Sequence, residues 1–228
     1  MLKSRLCIAF FAFAGGCAPA QKPLTDYVNP MLGTATLWDS VDLGFKPTKR
    51  TWGAEVFPGS SLPNAMVQVS PVTKFHSGAG YQYEDSVIYG FTHTNKGHWN
   101  LCHIPLLPVT GTPTPGDYCS PFSHERESAA PGYYQVFLDR YGVDAQLSST
   151  LRCAFHKYTY PAGAAASLLA DLQRSNEHVR AWDIRKEGDN VFAGWQQTGE
   201  KMYFYAVANR PVTGIEPVVE GDREVRIV

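Results

Sequence analysis

The chain has 228 residues, 44% of them hydrophobic and 18% charged, enough for one large β domain or one and a half average domains. A formal net charge of −1 argues against nucleic acid, whose binding needs clustered Lys and Arg. With 20 Gly, 16 Pro and 13% aromatic residues, the composition suits a turn-rich β protein and argues against a helical one.

Residues 1–20 read as a targeting segment. Lys3 and Arg5 make a basic start, and Leu6 to Ala14 (LCIAFFAFA) form an apolar run. That run is shorter than the roughly 20 residues a bilayer-spanning helix needs. Two processing readings stay open. Ala18-Pro19-Ala20 is an A-x-A-like cleavage site, whereas Ala14-Gly15-Gly16-Cys17 is similar to a bacterial lipobox with Ala14 where Leu is usual, and would leave Cys17 lipidated. Either predicts an exported chain, periplasmic or on the outer membrane of a Gram-negative bacterium, that meets a membrane only through a lipid anchor. Past the segment stand Cys102, Cys119 and Cys153, an odd number, so at least one is free. No CxxC or His-Cys spacing suggests zinc.

After a tether from Gln21 to Thr25, Tyr27 to Thr34 reads as a strand running into a turn, and residues 35–55, with Trp38 and Trp52, as a long polar loop. Met66 to Val72 alternates and predicts a half-buried strand. Ser86 to Phe91 predicts a short strand, and His103 to Val109 an apolar edge strand, because prolines lack the N–H an interior strand donates. The loop between them, within Tyr89–Pro108, is the densest run of site-forming side chains, with His93, His98, His103, Trp99, Asn95 and Asn100. Indole, imidazole and amide groups together suit a sugar: a ring face for C–H surfaces, donors and acceptors for hydroxyls. Further on, Tyr133–Leu138, Val143–Thr150 and Leu151–Tyr160 alternate as strands. In the last of these, Arg152, Ala154, His156 and Tyr158 share one face, and Leu151, Cys153 and Phe155 the other. Ala165 to Leu172 is ambiguous between strand and helix. Residues 179–197 predict a hairpin with a four-residue turn, and 202–209 a nearly all-apolar strand. Glu224 to Val228 alternates like a strand and the chain stops within it, so the sequence is expected to be a fragment of something longer. Period-2 patterning with frequent turns predicts two packed antiparallel sheets.

A glycosidase needs two carboxylates across its sugar. Glu84-Asp85 falls at a strand-turn, where solvation is the plainer reading. Glu125-x-Glu127, beside His124 and Arg126, reads more plainly as a structural ion-pair network. His93 and His98, five apart in a loop, have poor metal spacing.

Several motifs carry a resemblance. Tyr27-Val28-Asn29-Pro30-Met31-Leu32-Gly33-Thr34 resembles the Y-V-N-P-x-I-G-T opening of glycoside hydrolase family 92, calcium-dependent exo-α-mannosidases of Bacteroides-type bacteria. Phe57-Pro58-Gly59, Leu62-Pro63 and Met66 to Pro71 are similar to its F-P-G-A-x-x-P-F-G-M-V-Q-L-S-P run. Gly80-Tyr81-x-Tyr83, Gly90 to Thr94, Ser123-His124-Glu125-x-Glu127, Pro131 to Val136 and His156-x-Tyr158-x-x-Pro161 continue in register. The resemblance implies an all-β, two-sheet antiparallel β-sandwich of the galactose-mutarotase-like supersandwich type over residues 21–228, the N-terminal domain of a two-part enzyme. It also implies that a C-terminal (α/α)6 barrel, absent here, carries the general acid, the general base and the main calcium ligands. No catalytic residue and no metal ligand is therefore expected in this chain. The sandwich is expected to line one side of a pocket for mannose-containing glycans, as in N-glycan degradation. Its loop after Thr94 reads Asn95 to Asn100 where the family has H-L-S-G-T-G. The departure falls where linkage preference would be read, and α-1,2 is the expected linkage. His98, Trp99 and Asn100 are expected to face substrate, with His93 holding the loop and Trp52 as a further contact; the alternative is that Trp99 packs against the absent barrel. The competing function is a lipid-anchored, non-catalytic sugar-binding or structural sandwich protein.

Overall fold

The computed structural model describes residues 21–36, 44–45, 55–96, 99–218 and 224–228. Its first strands are β1 (Ser60–Ser61), β2 (Gln68–Val72), β3 (Val87–Ile88), β4 (Gly90–Thr92), β5 (Asn95–Lys96) and β6 (Trp99–Asn100). There follow β7 (Leu106–Thr110), β8 (Ser120–Pro121), β9 (Glu127–Ala130), β10 (Tyr133–Leu138), β11 (Val143–Ser149) and β12 (Ala154–Thr159). The last are β13 (Ala166–Asp171), β14 (Ala181–Gly188), β15 (Val191–Gln197), β16 (Lys201–Val207), β17 (Ile215–Pro217) and β18 (Glu224–Ile227). Two short 3-10 turns, Leu24–Tyr27 and His124–Arg126, interrupt them, and no α-helix occurs among the described residues.

A seven-stranded sheet, ordered β1-β2-β4-β7-β13-β18-β17, forms the middle of the fold. On one face lies the four-stranded sheet β12-β11-β10-β9. Burial alternates strictly along β10 and over most of β11. Tyr134, Val136, Leu138, Val143, Ala145 and Leu147 point inward and pack on Val69, Phe91, Leu107, Val109 and Leu169 of the middle sheet. This is the antiparallel sandwich that period-2 patterning predicts. The other face of the middle sheet is covered too. The three-stranded sheet β14-β15-β16 lays Phe192, Met202, Phe204 and Ala206 against Leu106, Leu168, Ala170 and Ile227. Along β16 the alternate residues Tyr203, Tyr205 and Val207 face out.

The sequence reading departs from the structure at several strands. β2 is buried from Val69 to Val72 on both its faces, so it is not half-buried. A strand covered on both sides needs no alternation. β7 is an interior strand, between β4 and β13, despite Pro108. Its pairing with β4 is the single pair Phe91–Leu106. The proline two residues on faces the same side, past the end of that ladder, so its missing N–H breaks no bond there. The ambiguous stretch 165–172 is strand β13, fixed by partners on both sides, β7 and β18. β18 is likewise paired on both sides, by β13 and β17. In the 179–197 hairpin, β14 runs on to Gly188, with a register shift between Lys186 and Gly188, so the turn shrinks to Asp189-Asn190. In β12 the face that turns inward is Ala154, His156 and Tyr158, while Phe155 stays 58% exposed.

Candidate functional site

The chain leaves β4 at Thr92, makes a two-rung hairpin in which Asn95 faces Asn100 and Lys96 faces Trp99, and returns to β7. On the way back Cys102 (φ 53°) and Ile104 (φ 54°) adopt left-handed backbone, uncommon for residues with a side chain. Buried polar side chains hold them there. Asn100 Oδ1 accepts from the Cys102 N–H at 2.8 Å, and Gln196 Oε1 from the Ile104 N–H at 2.9 Å. Asn100 Nδ2 reaches the Ala79 carbonyl at 3.2 Å and Thr92 Oγ1 at 3.3 Å. The fit explains Gly80 (φ +76°), where an added Cβ would stand 2.6 Å from Asn100 Nδ2. His103 joins the same seam, with Thr94 Oγ1 at 3.0 Å and Thr198 Oγ1 at 3.1 Å on its two ring nitrogens.

Outside this hairpin is a cleft of about 300 Å³, lined by Thr34, Glu55, Lys74, His76, Ser77 and Trp99 among others. One indole thus shares a concave space with hydroxyl, ammonium, imidazole and carboxylate groups. His76 also has left-handed backbone, at φ 57°. Thr36, on the same lining, is gripped by Glu84, which accepts from its N–H at 2.6 Å and lies 3.2 Å from its hydroxyl. Asp85 accepts from the Thr73 hydroxyl at 2.8 Å. Glu84 and Asp85 are therefore tied to particular backbone and hydroxyl groups and are not merely solvated.

Of the expected contact residues, Trp99 lies on the cleft. Asn100 is fully buried beneath it, its amide committed to the loop. His93 is half-buried, its Nε2 2.9 Å from His156 Nε2 on the facing sheet, and the Tyr158 hydroxyl lies 2.7 Å from His156 Nδ1. Burial pulls His93 down to about 4 and His156 well below the ordinary histidine value. His98, Trp52 and Cys17 lie outside the described residues.

The reading of residues 125–127 as structural needs more detail. The Glu127 side chain is buried and accepts from the Tyr81 hydroxyl (2.9 and 3.0 Å), the Tyr134 hydroxyl (2.6 Å) and His124 Nδ1 (2.5 Å). His124 Nε2 donates to the Tyr83 carbonyl at 2.7 Å, and its ring stacks on Tyr83 at 3.9 Å. Its two ring nitrogens thus lie between the Glu127 carboxylate and the Tyr83 carbonyl. Burial first, then Glu127, raises the Tyr81 and Tyr134 phenols. Arg126 pairs with Asp139 and lies 4.0 Å over the Phe137 ring. With its oxygens committed, Glu127 has no role to offer a substrate. Sequence reasoning missed Asn176 and Gln196, which carry no motif, and undervalued His156 and Tyr158.

Among the described residues no three His, Cys, Asp or Glu side chains converge as metal ligands, so these residues do not fit the calcium that the resemblance implies. Cys102, Cys119 and Cys153 are free thiols, and burial raises the first well above the usual thiol range.

A family model, the glycosyl hydrolase family 92 N-terminal domain, matches residues 27–225. A comparison with curated proteins finds no match. Among solved structures the chain is similar to a family 92 α-mannosidase from Bacteroides thetaiotaomicron, with TM-score 0.74 and 27% identity over 87% of this chain and 28% of that one. The same enzyme in complex with mannoimidazole superposes with TM-score 0.74 and 25% identity, over 90% of this chain and 30% of that one. A family 92 inverting mannosidase from the same species, 22% identical with TM-score 0.70 over 91% of this chain and 30% of that one, shares the fold. The chain thus spans less than a third of the length of these structures.

Proposed function

Because the chain belongs to the glycosyl hydrolase family 92 N-terminal domain family, we propose that it supplies one wall of a mannose-binding cleft in an α-mannosidase. The groups that move protons belong to a helical barrel outside these residues. The observation that carries this reading is the cleft itself: the Trp99 indole, the one tryptophan among its described lining residues, together with Thr34, Lys74, His76 and Ser77. A ring face takes the apolar side of a pyranose, and the polar groups take its hydroxyls. Glu55 is the one carboxylate among the described lining residues, and an inverting hydrolysis needs two on opposite sides of the sugar. The role assigned to this cleft is binding and shaping, with hydrolysis assigned to the barrel. Since the described donors do not converge on a cation, no step is assigned to calcium in this chain.

Trp99 stacks on the sugar, and His98 and Trp52 complete the contact. His93 and Asn100 hold the loop from within. An α-1,2-linked mannoside is the substrate to test first. The leader directs export, with Cys17 as the lipidated residue; mass spectrometry of the N-terminal peptide from membranes checks that assignment.

The test is a titration of the chain with methyl α-mannoside, followed through its tryptophan indole N–H resonances. Trp99 should shift and saturate, and Trp99→Ala should abolish binding without loss of fold. Binding that survives Trp99→Ala unchanged would remove the cleft from the account.

A further inference from the structure

The two sides of the cleft are separate stretches of chain, residues 76–79 and the hairpin that carries Trp99. They touch directly through the Asn100 N–H, which donates to the Gly78 carbonyl at 2.8 Å. A third stretch joins them from behind. Asn176, buried in the turn between β13 and β14, is not on the cleft lining. Its Oδ1 accepts from the His76 N–H at 2.6 Å. Its Nδ2 donates to the Asn100 carbonyl at 2.5 Å and to the Ser77 carbonyl at 3.3 Å. Its own N–H donates to the Leu101 carbonyl at 3.0 Å. One side chain thus bonds the residues beside Trp99 and the residues around His76 at once.

The turn that presents it is itself fixed. Ser175 Oγ accepts from the Glu177 N–H at 2.9 Å, and Glu177 accepts from the Thr198 hydroxyl at 2.6 Å. His76 also needs outside support, because left-handed backbone at a residue with a Cβ is disfavoured. The Asn176 acceptor supplies that support while its donor end holds the opposite wall.

We propose that Asn176 is the positioning residue that sets the distance between the His76 and Trp99 walls of the cleft; this rests on the sugar-site reading above. The chemistry requires an amide. It must accept on the His76 side and donate on the Asn100 side. A carboxylate of the same shape can do the first, but it would press an oxygen against the Asn100 and Ser77 carbonyls. Asn176→Asp should therefore release the Trp99 wall and leave the His76 bond in place.

The experiment compares Asn176→Asp with Asn190→Asp in the full chain. Asn190, in the turn between β14 and β15, makes the same kind of bond, its Nδ2 donating to the Ala208 carbonyl at 2.7 Å, and neither residue lines the cleft. Both variants should lower the melting temperature. Asn176→Asp alone should weaken methyl α-mannoside binding by on the order of ten-fold and shift the free-state Trp99 indole resonance. Wild-type affinity in Asn176→Asp overturns the proposal, and so does an equal loss in Asn190→Asp, which would mark a general effect of destabilisation. If the wild-type chain binds no mannoside, the sugar-site reading fails instead. The Trp99 resonance then decides the positioning role: displaced only in Asn176→Asp it stands, unmoved it falls.

Discussion

Acid should loosen the sandwich through one histidine pair. His93 leaves the middle sheet and His156 lies on β12 of the facing sheet, their Nε2 atoms 2.9 Å apart. Two neutral rings can share the single proton between those atoms. Protonate both, and two N–H groups meet head to head between the sheets. Burial holds His93 at about 4, against 6.5 for an ordinary histidine. The sign follows from linkage. The unfolded chain takes up the proton below 6.5 and the folded chain does not until about 4, so stability is intact above 6.5 and falls as pH drops between those values. For His93 alone the loss is about 2 kcal/mol by pH 5 and about 3 kcal/mol by pH 4. His156, shifted in the same direction by burial first and then by His93, adds to it. Asp171, whose carboxyl is raised by burial, acts in the opposite sense. Urea unfolding at pH 7, 5 and 4 should be compared with the same series on His93→Gln/His156→Gln, in which Asp171 cancels. The wild type should lose at least about 2 kcal/mol more than the double variant between pH 7 and 5. Parallel pH dependence in the two proteins would refute the reasoning.

Two substitutions test the supports on either side of the cleft. Glu127→Gln keeps the shape but faces an amide N–H₂ toward hydroxyls that were donating to a carboxylate, so it should destabilise by about 2–4 kcal/mol in urea unfolding, more than Tyr134→Phe. Gly80→Ala should cost more than Gly163→Ala in melting experiments: both glycines have positive φ, but only at Gly80 does the new Cβ also collide with Asn100.

Sequence pattern reaches as far as the forces it records. Along β10 and β11, one face meets a core and the other meets solvent, so alternation names both strands and the sandwich they belong to. It is silent where a strand is covered twice. β7 reads as an edge element from its prolines, whereas its other face is buried by the third sheet, built from residues 181–207, far along the chain. Side-chain type singles out Trp99, and the structure puts it on the lining of the cleft. Asn100 was legible as important but not as buried. Its partners, Ala79 and Cys102, include a carbonyl and an N–H that leave no trace in side-chain pattern. Asn176 was invisible for the same reason. It acts on His76 from 100 positions away, through backbone groups every residue possesses.

The central claim is a division of labour, binding here and proton transfer elsewhere. The most direct measurement is release of mannose from α-1,2-mannobiose by the purified 228-residue chain, with calcium and with chelator, alongside the methyl α-mannoside titration. Saturable binding with no mannose released in either condition is the predicted result. Calcium-dependent release by this chain alone would contradict it.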